Sequence, residues 1–274
     1  MAEIMINGIS TYYEELGSGD EVFLYVQHGG ELKNEMLSLL PSEYHIYFIH
    51  LPGYGKSTQL KEFRGFKQWS NDIFTFSRKL NLGKFIYIGF SMTGIVGYYL
   101  ALEHPELFKA LVTIVSIPVS KVPAPHPAEQ KALDSGTFEE HQAVTEKLFL
   151  FPADTSDKRR LSLREKARKQ LRQEAESTDK ESLAYRQDQI LRSKEGRERF
   201  VPHLKEMKVP TLMLFGGHDY ANPIDQVITS AMSIPGSKAV FFEDYGHGLS
   251  LEGPEKVADE IIMFVNDLNT RKKE

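Results

Sequence analysis

A serine stands at the point where the sequence changes from a strand pattern to a helix pattern. Residues 84–88 are mostly apolar and aromatic, which predicts a buried strand. Residues 89–94 (Gly-Phe-Ser-Met-Thr-Gly) predict a sharp turn around Ser91, and large apolar residues at helical spacing follow. Such a strained turn exposes the serine hydroxyl and directs the first N–H groups and the positive dipole end of the helix towards it. The chemistry that this arrangement favours is nucleophilic attack with stabilisation of an oxyanion.

The turn departs from the G-x-S-x-G pattern because Thr93 occupies the second glycine position. A small residue is needed there, since the strand and the helix pack closely, and threonine is small but β-branched. On this stretch alone, a serine that only caps a helix explains the pattern equally well. A membrane span over the uncharged residues 85–102 is disfavoured by the glycines within it and by the strand-then-helix pattern.

Other chemically capable residues also follow predicted strands directly. They are His28-Gly29-Gly30, Asp219 and His247. Glycines beyond a strand end allow backbone N–H groups to face an anion. In a parallel sheet the ligand site lies beyond the carboxyl ends of the strands. Each of these residues could be an ordinary turn residue or helix cap, but together with Ser91 they predict one site.

Strand and helix patterns alternate along most of the chain, which predicts a mainly parallel, doubly wound α/β sheet. Predicted strands cover residues 3–6, 9–16, 22–26, 44–49, 84–88, 110–117, 209–215 and 238–243. Predicted helices include residues 31–40, 66–80, 223–232 and 254–268.

The strand signals disappear in one long segment. From about 128 to 198 the chain is rich in charged residues and glutamine, and its signals are helical. Leu163, Ala167, Leu171 and Ala175 repeat every four residues and predict one apolar stripe on a charged helix. We therefore predict a core made of residues 1–118 and 204–274, with a helical cap over residues 119–203.

Composition excludes several classes of site. The 274 residues include no cysteine, which excludes disulfides, thiolate metal sites and a cysteine nucleophile. A net charge of −5 argues against a nucleic-acid partner. Gly55-Lys56-Ser57 resembles the end of a phosphate-binding loop, but His50 stands where that motif requires glycine, so we predict a turn. No secretory signal is visible at the N-terminus, and we expect a cytoplasmic protein.

The chain resembles α/β-hydrolase-fold enzymes of the capped kind over nearly its whole length outside the insertion. The motifs that carry the resemblance are His28-Gly29-Gly30, residues 89–94, Gly216-Gly217-His218-Asp219 and Gly246-His247. The order Ser91, Asp219, His247 matches the family order of nucleophile, acid and histidine. The resemblance implies an eight-stranded sheet, with Ser91 as nucleophile, His247 as its base and Asp219 orienting the imidazole. It also implies an oxyanion hole made by the backbone N–H groups of Gly30 and Met92.

Three departures from the family pattern bear on the choice of subfamily. Thr93 replaces the usual glycine, and residues 31–32 lack the proline or glycine that many relatives carry after His-Gly-Gly. His50 stands where relatives often have aspartate. None of the three removes a catalytic group.

The resemblance implies a serine hydrolase that cleaves a carboxylic ester or lactone of a small apolar substrate through an acyl-enzyme. Two alternatives stay open: a C–C bond hydrolase acting on a β-diketone-like substrate, and a ligand-binding, receptor-like protein on the same fold. We expect a small-molecule substrate, no cofactor or metal and no membrane span, and the sequence does not indicate an oligomeric state. The candidate residues of the substrate pocket are Glu31, Phe138, Leu148, Phe149 and Tyr185. Packing between cap and core is the alternative explanation for the apolar ones.

Overall fold

The computed structural model describes residues 2–27, 35–60, 63–118, 137–150, 156–177, 201–219 and 221–271. Its strands are β1 (Ala2–Ile6), β2 (Ile9–Leu16), β3 (Glu21–Gln27), β4 (Tyr44–His50), β5 (Phe85–Phe90), β6 (Phe108–Ile114), β7 (Thr211–Gly216) and β8 (Lys238–Phe242). Its helices are α1 (Glu35–Leu39), α2 (Phe66–Lys79), α3 (Met92–Glu103), α4 (Phe138–Phe149), α5 (Lys158–Ser177), α6 (Ile224–Ser233), α7 (Leu249–Glu252) and α8 (Pro254–Arg271). Short 3-10 turns cover Pro105–Leu107 and Val201–Glu206.

The eight strands form one sheet in the order β1-β2-β4-β3-β5-β6-β7-β8. Only the β1–β2 and β2–β4 pairs are antiparallel, and the pairs from β4 through β8 are parallel. The carboxyl ends of β3, β5, β6, β7 and β8 therefore lie along one edge of the sheet. The predicted eight-stranded, mostly parallel sheet is confirmed.

The central strands are apolar along their whole length because helices cover both faces of the sheet. Tyr87 points to the face covered by α2 and α3, where it joins the core of Trp69 and Phe76. Its neighbours Ile86 and Ile88 point to the opposite face, against α8. This alternation fixes the register of β5 and therefore the position at which the strand ends.

Strand β6 ends earlier than the predicted residue 117. Val115 has a φ of 46°, a conformation that a strand cannot continue and that β-branched residues rarely adopt. The backbone nevertheless stays bonded to its neighbours, because the N–H of Val115 donates to the carbonyl of Leu214. The sheet edge at β6 is thus shaped by a strained residue rather than by a continuing strand.

The turn predicted after β4 is observed, and it is held by His50. The backbone N–H of Lys56 donates to His50 Nδ1, and the Ser57 hydroxyl donates to the His50 carbonyl. The Lys56 and Ser57 contacts explain the lysine and serine of this segment as parts of a structural turn.

Helices α4 and α5 lie within the predicted cap. Leu163, Ala167 and Leu171 of α5 are buried, as the four-residue spacing predicts, and the side chain of Ala175 lies outside the described residues. The division of the chain into core and cap stays a prediction. Among the residues that the structure describes, no helix is long and apolar enough to cross a bilayer.

Candidate active site

Ser91 occupies a strained position between β5 and α3. Its backbone has φ 51° and ψ −118°, and its N–H donates to the carbonyl of Ile114 on β6. A non-glycine residue in such a conformation typically costs about 1–3 kcal/mol, which the surrounding structure must offset. The turn is tight, since a Cβ at Gly89 would lie 2.6 Å from the backbone nitrogen of Gly94. The sharp turn predicted around Ser91 is therefore observed, and glycine is required at its first position.

Thr93, which replaces the second glycine of the motif, has a specific set of partners. Its hydroxyl accepts a hydrogen bond from the Phe90 N–H at 2.8 Å. The single hydrogen of this hydroxyl has two carbonyl acceptors within reach, Val26 at 2.8 Å and Phe90 at 2.9 Å. The Thr93 carbonyl accepts from the Tyr87 hydroxyl, and burial raises the pKa of Tyr87 well above its usual range, so that it stays a neutral donor. Threonine thus fits the turn, and its hydroxyl makes hydrogen bonds that a glycine at this position could not make.

His247, Asp219 and Ser91 form a continuous chain of contacts across the sheet edge. His247 Nε2 lies 3.0 Å from Ser91 Oγ, and His247 Nδ1 lies 2.9 Å from Asp219 Oδ2. A carboxylate only accepts hydrogen bonds, so Nδ1 carries the proton and Nε2 is the nitrogen that accepts from the serine. The imidazole also packs against the Phe90 ring in a T-shaped arrangement, with ring centroids 5.6 Å apart. The three residues, far apart in the chain, can therefore pass a proton from the hydroxyl to the imidazole.

Asn222 also belongs to this cluster, although the sequence analysis did not identify it. Its side-chain nitrogen lies 2.6 Å from Asp219 Oδ2 and 3.4 Å from His247 Nδ1. The backbone N–H groups of Ala221 and Asn222 donate to Asp219 Oδ1 at 2.8 and 3.3 Å. In the sequence, the signal for Asn222 is an asparagine three residues after Asp219, which itself follows a predicted strand. The same pattern also occurs in ordinary loops.

A protein-family model described as the alpha/beta hydrolase fold matches residues 24–254 of the chain. The chain belongs to the α/β-hydrolase fold family. This confirms the resemblance that the motifs indicated, and the strand order described above agrees with it.

Several known proteins of this family are similar to the chain over most of its length. The pimeloyl-(acyl-carrier protein) methyl ester esterase of Wigglesworthia glossinidia brevipalpis is 24% identical over 268 residues, which are 94% of this chain and 98% of the relative. The enol-lactonase from Burkholderia xenovorans LB400 has a TM-score of 0.77 at 21% identity, covering 97% of this chain and 100% of that structure. The meta-cleavage product hydrolase from Pseudomonas fluorescens IP01 has a TM-score of 0.75 at 18% identity, covering 97% and 98%. The two solved structures show the shared fold.

The predicted oxyanion donors lie partly within the described structure of this α/β hydrolase. Met92 is the first residue of α3, directly after Ser91, so its N–H is one of the N–H groups that a helix leaves unbonded at its start. Gly30 lies outside the described residues, as does Glu31. The oxyanion hole therefore stays a prediction.

The other pocket candidates are described only in part. Phe138, Leu148 and Phe149 belong to α4, but their side chains lie outside the described residues, and so does the whole of Tyr185. Their place in a substrate pocket stays a prediction.

The predicted cap is joined to the region of His247 by buried ion pairs. Arg160 and Arg164 of α5 direct their Nε atoms to Glu252 Oε2 at 2.9 and 2.7 Å. Glu252 ends α7, the helix that starts two residues after His247. The Arg160 guanidinium also lies 4.2 Å from the centre of the Tyr245 ring. The position of α5 is therefore coupled to the loop that carries the histidine.

Proposed function

We propose that this protein is a serine hydrolase that cleaves a carboxylic ester or lactone of a small apolar substrate through an acyl-enzyme. The observation that carries the proposal is the 3.0 Å contact between Ser91 Oγ and His247 Nε2, with Asp219 2.9 Å behind the imidazole. The similarity to an enzyme named as a methyl ester esterase supports an ester as the bond that is cleaved.

In the first half of the proposed reaction, His247 Nε2 takes the hydroxyl proton as Ser91 Oγ attacks the carbonyl carbon of the ester. A serine hydroxyl is a poor nucleophile at neutral pH without such a base. The attack forms a tetrahedral oxyanion, for which the backbone N–H groups of Met92 and Gly30 are the proposed donors. Collapse breaks the bond to the leaving oxygen, which receives the proton from the imidazolium and departs as the alcohol.

The second half repeats these steps with water. His247 takes a proton from water, the hydroxide attacks the acyl carbon, and the proton returns to Ser91 Oγ as the acid is released. The Asp219 carboxylate is fully buried and contacts the imidazole, so it stabilises the cation that forms in each half. We further propose that residues 119–203 act as the cap that closes the pocket above Ser91.

The proposal is tested with a fluorophosphonate probe and a series of p-nitrophenyl esters from acetate to octanoate. The wild-type protein should be labelled and should release p-nitrophenol. Ser91→Ala should abolish labelling and reduce turnover by about 10³-fold or more, since removing the nucleophile leaves only the residual effect of the other groups. Ser38→Ala removes an exposed serine hydroxyl from α1 and should change neither result.

The same set of proteins separates the alternative functions. A C–C bond hydrolase would turn over a vinylogous β-diketone faster than any of the esters. A receptor-like protein would be stabilised by a ligand in thermal unfolding without releasing product. Labelling of the wild type that persists in Ser91→Ala would overturn the proposal.

A further inference from the structure

The side-chain amide of Asn222 is fixed by two acceptors. Its nitrogen donates to Asp219 Oδ2 at 2.6 Å and to the backbone carbonyl of Val115 at 2.9 Å. Both partners are oxygen atoms that only accept, so the atom between them is the amide nitrogen and both of its hydrogens are used. The third neighbour, His247 Nδ1 at 3.4 Å, gives its own proton to Asp219 and is a packing contact. Asn222 is buried, with 6% of its surface exposed.

The Asn222 amide thus bridges Asp219 and Val115, and Val115 is itself bonded to the sheet. Val115 has a positive φ of 46°, and its N–H donates to Leu214 on β7. The residue before it, Ile114, accepts the N–H of Ser91 at 2.9 Å. The carbonyl that holds Asn222 is therefore anchored to the same strand end that holds the nucleophile.

The Asp219 end of the bridge is the carboxylate that contacts the imidazole. Backbone N–H groups of Ala221 and Asn222 donate to Oδ1, and the Asn222 amide donates to Oδ2. His247 Nδ1 lies 2.9 Å from Oδ2 and 3.1 Å from Oδ1. The Asn222 amide thus holds the carboxylate in the rotation in which both oxygens face the imidazole, with Oδ2 nearer. A hydrogen bond to a carboxylate also takes up part of its charge, which reduces its attraction for an imidazolium.

We propose that Asn222 is a positioning residue for the hydrolysis. It holds the Asp219 carboxylate in the orientation in which its oxygens face His247 Nδ1, and it ties that orientation to the strand end that carries Ser91. The inference rests on the proposed function, because it assigns Asn222 to the same proton transfer.

The test compares the wild type with Asn222→Leu, which keeps a similar volume without donors, and Asn222→Asp, which keeps the shape. Concentrations of active protein are set by titration with the fluorophosphonate probe, and kcat and KM for p-nitrophenyl acetate are measured across pH. We expect kcat/KM of Asn222→Leu to fall about 10- to 100-fold, mostly in kcat, because a misplaced catalytic group costs about that much. The pH midpoint of kcat/KM for Asn222→Leu should move upwards, because the Asp219 carboxylate without this hydrogen bond attracts the imidazolium more strongly. The added carboxylate of Asn222→Asp should move the midpoint further. Asn266→Leu makes the same change on the exposed face of α8 and should leave both quantities unchanged.

A purely structural role would lower the amount of folded protein but leave the pH midpoint of the active molecules where it is in the wild type. The inference is overturned if either variant, once folded, keeps the wild-type pH midpoint, whether or not its kcat/KM falls. Should Asn222→Leu not fold, the isosteric Asn222→Asp decides the matter alone.

A readout without turnover separates this inference from the proposed function. The Nδ1–H proton that His247 shares with Asp219 gives a low-field proton NMR signal, assigned by its loss in His247→Gln. If the wild type lacks esterase activity, the proposed function fails, and a displaced signal in the Asn222 variants still supports the positioning role. An unchanged signal in both variants contradicts that role whatever the activity.

Discussion

The hydroxyl of Thr93 lies 2.8 Å from the carbonyl oxygen of Val26 and joins the turn around Ser91 to the end of β3. The same oxygen accepts the Phe90 N–H, so one side chain holds the residue before Ser91 and the neighbouring strand together. The departure from the family pattern at this position therefore adds a contact and leaves the turn intact.

We expect Thr93→Val to destabilise the protein, because valine has the shape of threonine without its hydroxyl. The Phe90 N–H then loses its partner in a partly buried place, and leaving a buried donor unbonded typically costs about 1–3 kcal/mol. Thr93→Ser keeps the hydroxyl and should lie closer to the wild type. Urea unfolding measures both free energies of unfolding, and a Thr93→Val protein as stable as Thr93→Ser would contradict the role given to the hydroxyl.

The first glycine of the turn gives a prediction about activity. A Cβ at Gly89 would meet the backbone nitrogen of Gly94 and the carbonyl oxygen of Thr93, both at 2.6 Å. Backbone atoms cannot move aside as a flexible side chain can, so Gly89→Ala should displace Ser91 and lower kcat/KM by about 10²-fold.

The control for this prediction is Gly83→Ala, in the turn before β5. Gly83 has a positive φ of 64° but open space around its missing Cβ. Its substitution should lower stability through backbone strain and leave kcat/KM of the folded protein unchanged. Equal activity losses in the two variants would show that the contact at Gly89 is not the cause.

Sequence patterns identify candidate site residues that stand directly after a predicted strand. They do not identify residues whose role depends on contacts with distant parts of the chain. Ser91, Asp219 and His247 could be placed on one edge because parallel strands end together. Asn222 could not be identified, since it does not follow a strand directly and its distant partner is the backbone carbonyl of Val115, which no residue type marks in the sequence. The early end of β6 has a similar cause, because the φ of Val115 depends on neighbours in β7 and not on its own preference for strands.

The contact between α1 and α5 should weaken in acid. Hydrogen bonds from Arg159 and then Lys166 lower the pKa of Glu35 below its usual range. A carboxyl with a lowered pKa in the folded state adds stability above the pKa of the unfolded chain, about 4.3, and loses it as pH falls through the folded value. The difference in Tm between wild type and Glu35→Gln should therefore shrink below about pH 4.3. The effect should be small, since these side chains are partly exposed and screened by salt.

The control for this prediction is Glu103→Gln, which removes a surface glutamate paired with Lys67 on another side of the molecule. Across the same pH range, the Tm of Glu103→Gln should stay closer to the wild-type Tm than the Tm of Glu35→Gln does. A constant difference between wild type and Glu35→Gln from pH 7 to pH 3 would exclude the proposed acid sensitivity.

The buried ion pairs of Glu252 predict a large loss of stability when only one partner is changed. Glu252 is 2% exposed and receives Arg160 and Arg164 from α5. Glu252→Gln removes the charge that compensates two buried guanidinium groups, which typically costs about 3–5 kcal/mol. Because α7 starts two residues after His247, we expect kcat/KM to fall as well.

Replacing all three charged residues together distinguishes charge compensation from shape. The variant Glu252→Leu/Arg160→Met/Arg164→Met removes the carboxylate together with both guanidinium groups, and such replacements are often neutral or stabilising. It should therefore unfold at a higher urea concentration than Glu252→Gln, although it carries three substitutions and not one. The Arg160 contact with the Tyr245 ring is lost in the triple variant, so its recovery should be incomplete. A triple variant less stable than Glu252→Gln would mean that the geometry of the ion pairs, and not the balance of buried charge, holds α5 against α7.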